Sequence, residues 1–169
     1  MAKIDDYERG NRIRSAARDL GLTEALVDLP AAEAAEKRRR IVEHFIHPDE
    51  SWWWDQLKSG RNYWNTSKGW HPLNDIAEMC VDEPVWLAPI DPFGEVFEAR
   101  MPVFVELLKK SLIDEYALVS RDLAWLLIVN HHDVLYGSGE RVTDHLLRIA
   151  QRPGSAGGTL TTDPPEQPT

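Results

Sequence analysis

Residues Glu115 to Gly139, EYALVSRDLAWLLIVNHHDVLYGSG, constrain the fold of this chain more than any other stretch. Trp125-Leu126-Leu127-Ile128-Val129 is apolar without interruption and has strand length, too short for a helix. A strand apolar on both faces is buried on both faces, so this one belongs in the middle of a sheet. Helices are expected on one side of it and aromatic residues or a partner on the other. The run stops at Asn130-His131-His132-Asp133, where Asn and Asp tolerate turn geometry. Val134 to Tyr136 returns as a second strand to Gly137 and Gly139, and Tyr116 to Ser120 supplies a third.

Helical spacing dominates the N-terminal half. Ile13, Ala16, Ala17 and Leu20 make the apolar stripe of a helix over Ile4 to Leu20, with Gly21 just past its end. A short turn or helix over Thr23 to Leu29 leads to Pro30, which opens a second helix. Its stripe is Ala34, Ile41, Phe45 and Ala35, Val42, Ile46, and His47-Pro48 ends it. Acidic residues at the start of Pro48 to Leu57, and Gly60 beyond, predict a short helix with Trp53, Trp54 and Leu57 on one face. Residues 60–83 mix Gly, Asn, Ser and Pro with aromatics. They predict an irregular region with a helical turn near Leu73 to Met79.

From Pro84 the pattern changes. Val85 to Ile90 predicts a strand, placed near a sheet edge by Pro89. Asp91-Pro92-Phe93-Gly94 signals a turn. Pro102 starts a helix with Phe104, Leu107, Leu108 and Leu112 on one face, and Glu106 and Lys110 form a surface pair four apart. A last helix, Arg141 to Ala150, turns Val142, Leu146 and Ile149 inward. The class is α+β: a small, mainly antiparallel sheet packed with helices, a helical N-terminal half, and one domain over residues 1–151. Residues 152–169 hold four prolines, three glycines and four threonines around Leu160, so a disordered tail is expected there. No internal repeat is present.

The 169 residues are 43% hydrophobic and 28% charged, which suits a single soluble core. No run approaches the ~18 apolar residues that span a bilayer. The opening MAKIDDYERGNRIR lacks the apolar centre of an export signal, and the single cysteine, Cys80, excludes an internal disulfide framework. Both point to a cytoplasmic protein. A net charge of −9 argues against nucleic acid as the main partner. It either favours a basic protein partner or only maintains solubility.

Candidate chemistry gathers at the tip formed by His131, His132 and Asp133. Imidazole and carboxylate suit divalent metals and proton transfer near neutral pH. Adjacent histidines point apart, however, so a metal site needs a third ligand, with His71, Asp75, Glu78 and Asp82 as candidates. The competing reading is a turn or an exposed recognition tip. Seven tryptophans are the second unusual feature. On a helix Trp52, Trp53 and Trp54 would spread over about 200° of arc, so they cannot all face one core. They either reach the surface, or a groove lined by Tyr63, Trp64 and Trp70, or fill a core region over residues 50–86. Lys37-Arg38-Arg39-Arg40 lies within one helical turn of Glu33, Glu36 and Glu43, the pattern of a self-paired solvated face. Gly137-Ser138-Gly139 ahead of a helix is either an anion-binding turn or a cap made by Ser138. Asn65-Thr66-Ser67 matches a glycosylation acceptor but has no export signal with it, and Cys80 has no nearby sequence partner to make it a nucleophile.

From Pro84 to Ala150 the order of strand VWL, helix, EYxLVSRDLxWLLxxNHHD, small-residue turn and helix resembles a group of small bacterial proteins of unknown function. Some of these are similar in style to the immunity proteins of polymorphic toxin systems. Glu115, Tyr116, Asp122, Trp125, Asn130, His131, His132 and Asp133 carry the resemblance. It implies a cytosolic bacterial α+β domain that neutralises a toxin by binding it. On this reading the protein is non-enzymatic and holds no cofactor. Its partner would be met by Trp52, Trp53, Trp54, Trp64, Trp70, His131, His132 and Asp133. The alternative is a small metal-dependent hydrolase using His131, His132 and Asp133.

Overall fold

The computed structural model describes residues 5–47, 53–65, 71–79, 81–90, 94–152 and 159–162. An antiparallel sheet runs through them in the order β1 (Val27–Asp28), β4 (Phe97–Arg100), β3 (Pro84–Pro89), β5 (Tyr116–Ser120), β6 (Leu126–Val129), β7 (Leu135–Ser138), β2 (Arg61–Trp64), β8 (Thr159–Thr162). The uninterrupted apolar run became β6, paired on one edge with β5 and on the other with β7. All four of its residues are buried.

Alternation along the strands divides the core into two layers. On one face α1 (Asp5–Asp19), α3 (Pro72–Ala77), α4 (Met101–Ser111) and α5 (Glu140–Ala150) pack Ile13, Ile76, Phe104 and Leu146 against Leu87, Leu118, Leu127 and Leu135. On the other, α2 (Ala31–Phe45) together with Trp54 and Leu57 covers Trp86, Ala117, Val119, Leu126 and Ile128. The aromatic cover expected on the second face is therefore Trp54 beside a helix. The α+β class holds.

Several local expectations are corrected. Pro89 does not mark a sheet edge, because β3 lies between β4 and β5. It is tolerated because β4 pairs only Pro84 to Leu87 and stops short of it, so no ladder bond is lost on that side. The Pro89 carbonyl instead accepts from Arg38 Nη1 at 2.8 Å. Strands β1, β2 and β4 escaped prediction because two to four residues of mixed polarity carry no readable period. Thr159–Thr162, inside the stretch expected to be disordered, lies antiparallel on β2 with Tyr63 opposite Leu160. Backbone pairing along the outer edge of β2 supplies what side-chain burial cannot, and threonine suits a strand. Trp53–Asp55 form a single 3₁₀ turn rather than the expected short helix. Leu112 is 75% exposed because it caps α4 in the left-handed conformation (φ 54°), where helical periodicity no longer applies. Ala35 is exposed as well. The turn residues Asp91, Pro92 and Phe93, along with Thr66, Ser67 and Cys80, lie outside the described residues.

The two glycines at the end of β7, Gly137 within it and Gly139 just past it, serve packing. Ser138 is buried and makes no cap to α5; its hydroxyl faces that of Ser59 at 3.4 Å. A Cβ on Gly137 would lie 2.2 Å from Val142 Cγ1, and one on Gly139 (φ 91°) would lie 2.2 Å from the Ala124 carbonyl oxygen. Gly139→Ala therefore meets both backbone strain and a clash, and should lower unfolding free energy by about 2 kcal/mol or more. Gly21→Ala is the control. Gly21 also has positive φ (67°) but open space around it, so only the strain of about 1 kcal/mol remains. Urea unfolding of the two variants measures the difference.

Candidate functional site at the end of the sheet

The hairpin between β6 and β7 is built around Asn130. Its buried side-chain oxygen accepts from the backbone N–H groups of His132 (3.1 Å) and Val134 (3.0 Å). The Asn130 N–H donates to the Val134 carbonyl, and the Asp133 N–H donates to the Asn130 carbonyl. Asp133 sits at φ 57°, a conformation that short polar residues accept more readily than others. These bonds fix the backbone and leave His131, His132 and Asp133 exposed.

His131 is nonetheless anchored. Its Nδ1 meets Oε1 of Glu115, whose side chain is only 7% exposed, while His131 itself is 44% exposed. Arg9, reaching over from α1, donates Nη2 to Glu115 Oε2 at 3.0 Å and Nη1 to the Ile90 carbonyl at 3.2 Å. The carboxylate thus lies between a guanidinium and an imidazole, the pairing that a buried charge requires. Accepting from Nδ1–H, it leaves Nε2 of His131 as the ring nitrogen for outside contacts. The Trp54 ring meets His131 edge-on at 5.9 Å between centroids, and the His132 ring lies 3.9 Å away. Next to Glu115, the Tyr116 hydroxyl is buried without a hydrogen-bond partner among the described residues. Burial first, and then the charge on Asp133, push its pKa far up, so it stays protonated.

The tryptophans do not form one groove. Trp54 is buried, and Trp53 is half-buried beneath the Arg38 guanidinium, 4.9 Å from the ring centroid. Trp64 is 39% exposed. Since Tyr63 packs into the layer under α5, alternation turns Trp64 to the opposite face, the one Tyr136 occupies. Trp52 and Trp70 lie outside the described residues. The surface at this end of the sheet therefore combines Trp64, Tyr136, His131, His132 and Asp133.

Among the described residues no group of three His, Cys, Asp or Glu is placed to hold a metal ion. The four proposed third ligands are engaged elsewhere. His71 Nδ1 caps α3 by accepting from the Leu73 N–H at 3.2 Å. Asp75 and Glu78 pair with Arg152. Asp82 pairs with Arg100 at 2.6 Å, and that hydrogen-bonded cation holds its carboxyl below the usual range. In the basic run, Lys37 pairs with Glu33, and Arg39 with Glu36 and Glu43. Lys37 and Arg38 also lie over Trp86 and Trp53, fastening α2 to the sheet.

Arg9 had no sequence signal, since it comes from a helix 106 residues before Glu115. Glu115 was visible as an acid just ahead of a strand and as one of the residues that carry the resemblance, with nothing to give it a partner. A double-mutant cycle of Arg9→Ala and Glu115→Ala should give a coupling of about 1–3 kcal/mol in unfolding experiments. Tyr116→Phe should leave stability unchanged or raise it by up to about 1 kcal/mol, because it removes a desolvated hydroxyl and breaks no bond.

No helix among the described residues is long and apolar enough to cross a membrane. Neither the curated proteins nor the solved structures contain a match to the chain. A family model does match, over residues 9–150, and so extends well ahead of the Pro84–Ala150 stretch that carries the sequence resemblance. The chain belongs to that family, described as a family of unknown function (DUF6756).

Proposed function

We propose that this chain is a non-enzymatic, cytoplasmic binding protein of the immunity or antitoxin type, which neutralises a basic protein partner by covering it. The observation that carries the reading is the rigid, exposed tip. His132 and Asp133 project from a backbone fixed by Asn130, and His131 is held from behind by Glu115 and Arg9. A surface already held in one conformation loses little entropy on docking. Trp64 and Tyr136 add aromatic area beside it, and the net charge of −9 favours encounter with a basic surface. The hydrolase alternative draws no support from this geometry, because its proposed third ligands hold other partners.

The test uses the whole chain as bait in lysate of the native cell, beside a variant carrying Trp64→Ala, His132→Ala and Asp133→Asn. The expected result is a basic protein retained by the unaltered chain. Its affinity for the variant falls at least about 30-fold, equivalent to one hot spot of 2 kcal/mol. Binding should also weaken as salt rises. The purified partner should lose its toxicity at equimolar amounts of the chain. Equal retention by both baits would overturn the assignment of the tip.

A further inference from the structure

His145 of α5 is buried, 3% exposed, and both of its ring nitrogens have partners. Nε2 lies 2.8 Å from the backbone carbonyl oxygen of Asp75 near the end of α3, and Nδ1 lies 2.7 Å from Nη2 of Arg148. A carbonyl only accepts and a guanidinium only donates. The ring is therefore neutral, with its proton on Nε2 and its lone pair on Nδ1. A second proton has only Nδ1 to go to, where it would face the donor now bonded there and add a positive charge beside Arg148.

The surroundings are mixed. From α5, Arg148 faces the ring; from the residues just after it, Arg152 does so while pairing with Asp75 and Glu78. Asp75 comes from α3, and Tyr63 of β2 lies close enough to feel both Asp75 and Arg152. α3 has six residues and anchors by Leu73 and Ile76 in the core. So short a helix depends on its tertiary ties rather than on its own hydrogen bonds. Ile76 also lines an apolar groove with Val81, Met101 and Val105 between α3 and α4.

We propose that His145 is a pH-sensitive latch: neutral, it ties α3 to α5, and its protonation releases α3 and bares the apolar floor beneath it. Burial, the largest influence, pushes the His145 pKa down, with Arg148 and Arg152 acting in the same direction against Asp75. The sign follows. Above about pH 6.5, where a free imidazole is neutral, the latch holds in full. As pH falls below that value the released state binds a proton that the latched state does not, so the latch weakens on acidification.

Hydrogen exchange between pH 7.5 and 5.0, expressed as protection factors, tests this on the intact chain. Amides of Ile76, Ala77 and Glu78 should lose protection at least about tenfold relative to those of β6. His145→Gln can keep both hydrogen bonds without titrating, and should abolish the loss. Arg148→Gln places an acceptor opposite Nδ1 and should abolish it too, which keeps the test open if the first variant folds poorly. Both leave Asp75, Glu78 and Arg152 in place, so acid titration of those carboxylates is separated from that of the imidazole. Constant protection in the unaltered chain, or the same loss persisting in either variant, overturns the proposal.

Discussion

β6 is enclosed in every direction that matters to a strand. β5 and β7 take its backbone hydrogen bonds, one helical layer covers Leu127 and Val129, and the α2 layer covers Leu126 and Ile128. A one-residue slip would exchange the two layers and place Gly137, which sits against Val142, in the wrong register. The glycines, the lengths of β5 and β7 and the position of the hairpin all follow from that enclosure.

The tip inherits its rigidity from the same source. β6 ends where its apolar residues end, and Asn130 must then satisfy the backbone of a tight reversal by itself. Its side-chain oxygen does so by accepting two N–H groups. His131 would be an ordinary exposed turn residue if Glu115 were not buried just ahead of β5. Arg9, arriving from α1, balances that carboxylate and ties the first helix to the far end of the sheet. Shape and charge at the tip are thus properties of three distant segments brought to one place by the sheet.

What could be read from the sequence divides along physical lines. Elements with a long apolar period were readable: α1, α2, α4, α5, β5 and β6. Their apolar faces are written in local spacing. Elements stabilised by backbone pairing were not, since Arg61-Asn62-Tyr63-Trp64 and Thr159-Leu160-Thr161-Thr162 owe their strands to neighbours rather than to their own pattern. At the site the hairpin residues were visible because turn chemistry is local. Glu115 acquired a role, and Arg9 came into view, only when the fold closed. The third ligands that the metal reading called for show the same limit: His71, Asp75, Glu78 and Asp82 look available in a sequence, yet each has another partner in the fold.

Buried polar groups in this protein concentrate where elements meet end to end. Asn130 closes β6 onto β7, and the Ser120 hydroxyl, accepting from the Trp125 N–H at 3.0 Å, closes β5 onto β6. Glu115 joins α1 to the tip, and His145 joins α5 to α3. Such joints expose backbone groups that helix and sheet ladders cannot satisfy, so a polar side chain inside the core stabilises them where an apolar one would leave them unpaired. The Tyr116 hydroxyl differs, buried but joining nothing among the described residues. Of these joints the two histidines differ in kind. His131 meets a carboxylate, which accepts from its Nδ1–H. His145 meets a carbonyl and a guanidinium, which accept the neutral ring alone. The same residue type therefore joins an acceptor at the tip, and an acceptor and a donor together beneath α3.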